Sequence, residues 1–397
     1  MPTRLIHVRR LEDGDRERFP AMIAQAFILP PHRFEQDRQI PAEQGRLLIY
    51  NGELAASLRC ERVGQFFGPS PIPTAALSAV QVLPEYRGRG LGKVLFREVL
   101  EELQTSGAAV ATLFPTNVGF YRSVGFEVAG VHTRYGVPLA AIGRDPHGAR
   151  VTRAASADAP AIKACYRRFA EACNGLIDRS DEWWEQRVFG QASARAVYQY
   201  VVHQGDSIGG YMVYVHDPEP RDLPYAFNVS CRDFVWLNAA SARALLALAA
   251  AHPVVGVDFS WCGPVCEPMG LFINGQDMRV ERSRRWMLRL VDVRHALTAR
   301  RYSPTAEAAV TVCVSDPVLA SNEGAYRFAV SGGCAAIERT RHGAIEIQVG
   351  TLAALYAGWI TAAEANRVGL LSGATPSDIH ALDTIFAATP AWMMETF

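Results

Sequence analysis

The sequence has 397 residues, 49% of them hydrophobic and 20% charged, with Lys+Arg and Asp+Glu balanced at 40 each. That length exceeds one ordinary core and predicts two or three domains. The neutral balance removes the electrostatic case for nucleic acid or an anionic membrane surface as main partner. The N-terminus MPTRLIHVRRLEDGD has no apolar leader, and no stretch of about 18 apolar residues is present, so a cytoplasmic protein that binds no membrane is expected.

In chain order, Leu5–Val8 reads as a short strand, and the acidic turn Glu12–Asp15 opens an amphipathic helix carrying Phe19, Met22, Ile23, Ala26 and Phe27. Leu47–Tyr50 and Glu53–Val63 flank Asn51-Gly52, a strong two-residue hairpin signal. A strand over Thr74–Val82 and a helix over Gly90–Ser106 follow, the helix turning Val94, Leu95, Val99 and Leu103 inward. Then come a buried strand at Val110–Leu113, a short helix near Val118–Val124, and two strands, Phe126–Ala129 and His132–Pro138.

Gly143–Arg150 is a polar, turn-rich linker. Beyond it the order recurs: a strand near Val151, helices at Ala157–Ala172 and Asp181–Val188, and a hairpin of Ala196–His203 with Ser207–Val215. A strand Asp233–Leu237, a helix Ala240–Ala251 and a strand Val254–Ser260 complete it. This order predicts a diverged structural duplicate. From about Arg285 the pattern changes to a helix near Val291–Tyr302, four strands between Ala308 and Val349, and helices from Thr351. The expected domains are therefore 1–142, 150–284 and 285–397 in an α/β (α+β) protein.

Eight cysteines are scattered through a chain large enough to do without disulfide staples, so reduced core thiols are expected. Trp261-Cys262-Gly263-Pro264-Val265-Cys266 looks like a redox motif with one residue inserted, and the following Pro268 and Gly270 argue against the helix such a motif needs. The ten histidines show no metal-binding spacing, and no metal is expected.

The chemistry is concentrated in Val80-Gln81-Val82-Leu83-Pro84-Glu85-Tyr86-Arg87-Gly88-Arg89-Gly90-Leu91-Gly92-Lys93, where a strand runs through a glycine-rich turn into a helix. Bare N–H groups at a helix N-terminus and the positive end of its dipole suit a pyrophosphate, and Arg87, Arg89 and Lys93 add charge. Lys93 is followed by Val94, so no P-loop is present, and Gly88-Arg89-Gly90-Leu91-Gly92 does not meet the dinucleotide spacing. Read alone, the segment is also compatible with a plain tight turn. Its R-x-x-G-x-G pattern resembles the acetyl-CoA signature of the GNAT N-acetyltransferase superfamily.

Phe114-Pro115-Thr116-Asn117-Val118-Gly119-Phe120-Tyr121 followed by Gly125-Phe126 resembles the second GNAT pattern, an Asn before a short helix that carries a Tyr. A phenol, with an ordinary pKa of about 10 against ~8.5 for a thiol, stays protonated at neutral pH until thiolate forms nearby. Tyr121 also reads as a core aromatic. Arg179-Ser180-Asp181-Glu182-Trp183-Trp184 and Met287-Leu288-Arg289-Leu290-Val291-Asp292, together with the three-part order of elements, are similar to the Eis (enhanced intracellular survival) acetyltransferases.

That resemblance implies tandem GNAT domains, the second one degenerate, with Asn238–Ser241 where the glycine turn would stand, and a sterol-carrier-protein-like last domain. It implies acetyl transfer from acetyl-CoA to a primary amine, of an aminoglycoside-like small molecule or a lysine side chain, by direct attack. Val80, Gln81 and Val82 would hold the pantetheine arm and polarise the thioester carbonyl, Arg87, Gly88, Arg89, Gly90, Leu91, Gly92 and Lys93 the pyrophosphate, and Thr116 and Asn117 the cofactor further along. Tyr121 would be the general acid and the terminal carboxylate of Phe397 the proton acceptor. The resemblance also implies a homo-oligomer built on trimers, a hexamer included. Candidate substrate contacts are Phe27, Phe34, Glu35 and Glu395, each of which equally reads as a packed aromatic or solvated acid. The rival from another class is a non-catalytic acyl-CoA or lipid-binding module.

Overall fold

The computed structural model describes residues 5–27, 39–143, 149–190, 195–218, 225–252, 255–273 and 276–397. The first unit runs β1 (Ile6–Arg10), α1 (Arg18–Ala26), β2 (Gly45–Tyr50), β3 (Glu53–Phe67), β4 (Pro71–Val82), α2 (Leu91–Thr105), β5 (Val110–Leu113), α3 (Val118–Arg122) and β6 (Glu127–Pro138). The second runs β7 (Val151–Arg153), α4 (Ala159–Ala170), β8 (Asn174–Asp178), α5 (Asp181–Trp183), β9 (Val197–Gln204), β10 (Ser207–Pro218), β11 (Phe227–Trp236), α6 (Ala239–Ala249), β12 (Gly256–Gly263) and β13 (Arg279–Leu290). The third holds α7 (Val293–Ala299), β14 (Ala308–Ser315), β15 (Gly324–Ser331), β16 (Cys334–Thr340), β17 (Ile345–Gln348), α8 (Val349–Tyr356), α9 (Ala362–Arg367), β18 (Leu371–Ser372) and α10 (Pro376–Phe386).

Thirteen of the described strands form one sheet, β1-β2-β3-β4-β5-β13-β6-β12-β11-β10-β9-β7, with β8 paired to β3. The third unit has its own five-stranded sheet, β16-β15-β14-β17-β18. Asn51 and Gly52 take φ of 53° and 87°, the left-handed pair that a two-residue hairpin requires between β2 and β3. Helix α2 buries Leu91, Leu95, Val99 and Leu103 on the sheet. Each such burial contributes about 1.5–3 kcal/mol against tenths for intrinsic propensity, so packing holds this helix.

Several elements differ from expectation. The two strands expected at Phe126–Ala129 and His132–Pro138 are one, β6, which starts at Glu127 and is paired to β13 over most of its length and to β12 at its far end. The expected boundary at Arg285 falls inside β13, whose Arg285 lies opposite Val131 while Met287 lies opposite Leu113 of β5. The last strand of the second unit thus completes the sheet of the first. Local periodicity carries no trace of such a long-range pairing. Strand β8 was likewise not expected, and Asp181–Val188 is one short α-turn followed by a π-helix, Trp184–Phe189. Cys60, Cys165, Cys231 and Cys262 are buried, whereas Cys266 and Cys334 are exposed, so only part of the cysteine set lies in the core. No helix among the described residues is long and apolar enough to cross a membrane.

A buried ion pair ties the third unit to the large sheet. Arg289 on β13 is fully buried and donates from Nη2 to both Asp316 oxygens at 2.7 Å. Gly125 sits against that guanidinium with φ +84°, and an added Cβ would stand 1.5 Å from Arg289 Nη1. Gly125→Ala is therefore expected to lose about 1–3 kcal/mol to backbone strain alone, with the clash added. A thermal melt should show the whole protein, and not one unit, losing stability.

Candidate active site

Strands β4 and β5 are parallel neighbours only from Thr74↔Val110 to Leu77↔Leu113. Past Leu77 the pairing stops, which leaves a gap in the ladder along residues 78–82 of β4. A bulge marks this point: the β3–β4 register slips between Ser57/Arg59, and Ala79 takes φ +50°. That conformation costs a non-glycine residue about 1–2 kcal/mol, the kind of strain retained where a strand must be re-aimed beside a functional site. The Leu83 N–H bonds back to Ala55 O at 2.9 Å, so by strand alternation the Val82 N–H and C=O point into the gap. Gln81 is buried, with Nε2 bonded to Ser57 Oγ at 2.9 Å and Oε1 left without a partner among the described residues.

The glycine turn borders the mouth of this gap. Gly88 and Gly90 take φ of 74° and 77°, and a Cβ at either would meet nothing, so the backbone conformation and not space demands glycine there. Gly92 has a different reason: its Cβ would stand 3.1 Å from the Phe120 ring. Helix α2 opens at Leu91; the Lys93 N–H donates to Gly90 O at 3.0 Å, while the N–H groups of Leu91 and Gly92 precede the first intrahelical bond. Arg87 Nε donates to Val82 O at 3.0 Å across the mouth, while Arg89 donates to Glu85 O and lies over the rings of Tyr50 and Tyr86. Lys93 is exposed on the first turn.

On the β5 side, Asn117 caps α3, its Oδ1 accepting the Phe120 N–H at 3.0 Å. Tyr121 on that helix is 4% exposed and packs edge-on against Phe96, Phe120 and Phe126. Burial pushes its phenol above the usual 10, with the Thr116 side chain, a hydrogen-bond partner, pulling the other way. The group is therefore a proton donor across the physiological range.

The C-terminal tail runs into the same region. Val131 N–H donates to Ala391 O, Met393 N–H to Val131 O at 2.8 Å, and Trp392 N–H to Asn174 O at 2.9 Å. The Phe397 ring lies edge-on to Phe114, centroids 5.5 Å apart, and to Trp183 at 6.5 Å. His132 on β6 meets the tail as well, with Nδ1 3.2 Å from Met393 O, which as a carbonyl can only accept and so fixes the proton on Nδ1. Burial holds this imidazole below its ordinary pKa, with the Arg134 and Arg282 charges acting the same way against the Met393 bond. No motif marked His132 in the sequence, since a lone His on a strand carries no spacing signal.

Of the other candidates, Glu395 pairs in the interior with Arg179, whose side chain is fully buried, and its Oε2 has no hydrogen-bond partner among the described residues. Phe27 follows α1 as its C-cap and packs on the cluster around Leu11 and Phe19 that Ala79 and Leu83 also touch. Phe34 and Glu35 lie outside the described residues. In the second unit, β11 and β12 repeat the parallel pair, yet α6 begins with Asn238, whose Oδ1 takes up the Ser241 N–H at 2.9 Å. No glycine turn precedes it, and a first-turn donor is already used. Among the described residues, no group of three His, Cys, Asp or Glu gathers as metal ligands would.

Known proteins repeat this organisation. Residues 7–129 and 175–290 each match the family described as acetyltransferase (GNAT) domain, and residues 293–394 the sterol carrier protein domain. An uncharacterised N-acetyltransferase of Streptomyces griseus is 27% identical over 314 residues, 73% of this chain and 74% of that one. In structure the chain is similar to a GCN5-related N-acetyltransferase from Anabaena variabilis, with TM-score 0.93 and 24% identity over 99% of this chain and 100% of that one. It is also similar to Eis1 from Mycobacterium abscessus, with TM-score 0.81 and 25% identity over 99% and 100% of the two chains.

Proposed function

We propose that this chain, which belongs to the acetyltransferase (GNAT) family in the Eis-like arrangement of two GNAT domains and a sterol carrier protein domain, acetylates a primary amine by direct attack, using the first GNAT domain alone. The observation that carries the reading is the gap beyond Leu77 and Leu113, bordered by the left-handed glycine turn and backed by the buried Tyr121. Acetyl-CoA supplies the activated acetyl thioester. Gly88, Arg89, Gly90, Leu91, Gly92 and Lys93 would hold its pyrophosphate at the N-terminus of α2. Val80, Gln81 and Val82 would bind the pantetheine arm, the orphan Gln81 Oε1 being an acceptor free for an amide N–H. The Val82 N–H, aimed into the gap, is placed to polarise the thioester carbonyl.

Arg87 spans the mouth, with Thr116 and Asn117 lining the opposite wall. Tyr121 gives its hydroxyl proton to the departing sulfur. The carboxylate of Phe397, ring-packed on Phe114, takes the proton that the amine loses. An α-carboxylate of pKa about 3.3–3.7 is a weak base in water, so it has to meet the amine directly or through a relaying water to take up the proton. The acceptor is the primary amine of a small molecule or of a lysine side chain, and the enzyme acts as a homo-oligomer built on trimers.

Release of CoA with a panel of amines tests the activity, and its absence with every primary amine would end the reading. Calorimetric titration should give one acetyl-CoA per chain, because Asn238 both replaces the glycine turn and occupies a first-turn donor of α6. Two equivalent sites would contradict confinement to the first domain.

A further inference from the structure

The tail that carries Phe397 is held by two arginines, one at the surface and one in the interior. Residues 391–393 hang on backbone bonds to β6 and Asn174, but beyond Met393 the chain is held by side chains. The Thr396 carbonyl accepts from Arg187 Nη1 at 3.1 Å near the surface. Glu395, by contrast, is bound in the interior by Arg179 Nε, and the same guanidinium reaches Met394 Sδ at 3.5 Å. Arg179 itself cannot swing. It lies over the rings of Tyr166 at 3.8 Å and Trp184 at 4.6 Å, and its Nη1 and Nη2 fork onto Asp233 at 2.5 and 2.8 Å. Asp233 is fixed in turn by the Tyr211 hydroxyl at 2.8 Å.

We propose that Arg179, immobilised by Asp233, is a positioning residue: by holding Glu395 it fixes where the Phe397 carboxylate stands, and it does not itself meet the acceptor amine. The inference rests on the reading of Phe397 as proton acceptor. A planar guanidinium with one fork committed to Asp233 offers its Nε edge in one direction only, so Glu395 has one place to sit. Only two residues separate that place from the chain end, a reach of about 7 Å. Any movement of Glu395 is passed to a group that must be held within about 0.5 Å. Released from Arg179, a charged Glu395 would leave the interior for water and draw the terminus with it.

The test acts on Glu395, because removing Arg179 would strand two buried carboxylates and endanger folding. Turnover, acetyl-CoA KM and amine KM are measured for full-length Glu395→Gln, for the Phe397 deletion, and for the two combined. Glu395→Gln is expected to lower kcat about 10- to 100-fold, the scale of a ~1 Å misplacement, with both KM values within about twofold. In the Phe397-deleted chain the same substitution should change kcat less than about threefold, since the group it positions is gone. Asp233→Asn, which loosens the fork on Arg179 and so the seat of an unaltered Glu395, should lower kcat in the same direction and serves if Glu395→Gln does not fold. Equal losses in both backgrounds would overturn the inference, as would unchanged turnover of Glu395→Gln beside a Phe397 deletion that is inactive. A raised amine KM with kcat retained would also overturn it and return Glu395 to the acceptor site. Wild-type turnover of the Phe397 deletion alone would instead bring down the proton-acceptor reading, and this inference with it.

Discussion

Tyr121→Phe is expected to lower turnover by about 10²–10⁴-fold, the usual contribution of a general acid, with acetyl-CoA affinity nearly unchanged. The ring contacts with Phe96, Phe120 and Phe126 survive the change, and only the hydroxyl with its Thr116 partner is lost. Single-turnover measurement isolates the chemical step from product release. Because burial raises this phenol above 10, its ionisation should give the wild-type rate no alkaline limb below about pH 10. A small effect on a rate limited by chemistry would remove Tyr121 from the mechanism.

Deleting Phe397 should be comparably damaging, by about 10²-fold or more. The deletion moves the carboxylate back by one residue, about 3.3–3.6 Å in extended chain, and removes the ring seated on Phe114 and Trp183. Folding and acetyl-CoA binding should persist, since the backbone bonds of Ala391, Trp392 and Met393 do not involve the last residue. A C-terminal extension leaves the ring but abolishes the local charge, so it separates the two contributions. If the extended protein turns over at the wild-type rate, the carboxylate is not the proton acceptor, and the neutral imidazole of His132 becomes the group to test next.

Tyr121 and Phe397 are candidates from the sequence for unequal reasons. Tyr121 sits at a fixed offset from Asn117 within one strand–turn–helix, and the cap that places it, Asn117 Oδ1 to the Phe120 N–H, is a contact between residues three apart. The glycine turn is the same kind of feature: Gly88 and Gly90 are required by their own φ angles, which no distant residue sets. Phe397 is a candidate only through family resemblance, because a chain end has no local pattern.

Glu395 shows the limit. An acid two residues from the terminus reads as solvated or substrate-facing, and nothing near it in sequence announces Arg179, 216 positions away. His132 and the β13 strand are alike in this respect, one made notable by Met393 and the other inserted between β5 and β6. The sequence by itself determined most of the helices and hairpins, the glycine turn, the capped helix with its tyrosine and the three-part order, since each follows from propensities and periodicities acting over a few residues. Only the tertiary structure decided which strand completes the first sheet, which charges lie buried in pairs and what stands beside the chain end, because those depend on burial and pairing between segments whose separation along the chain leaves no local trace.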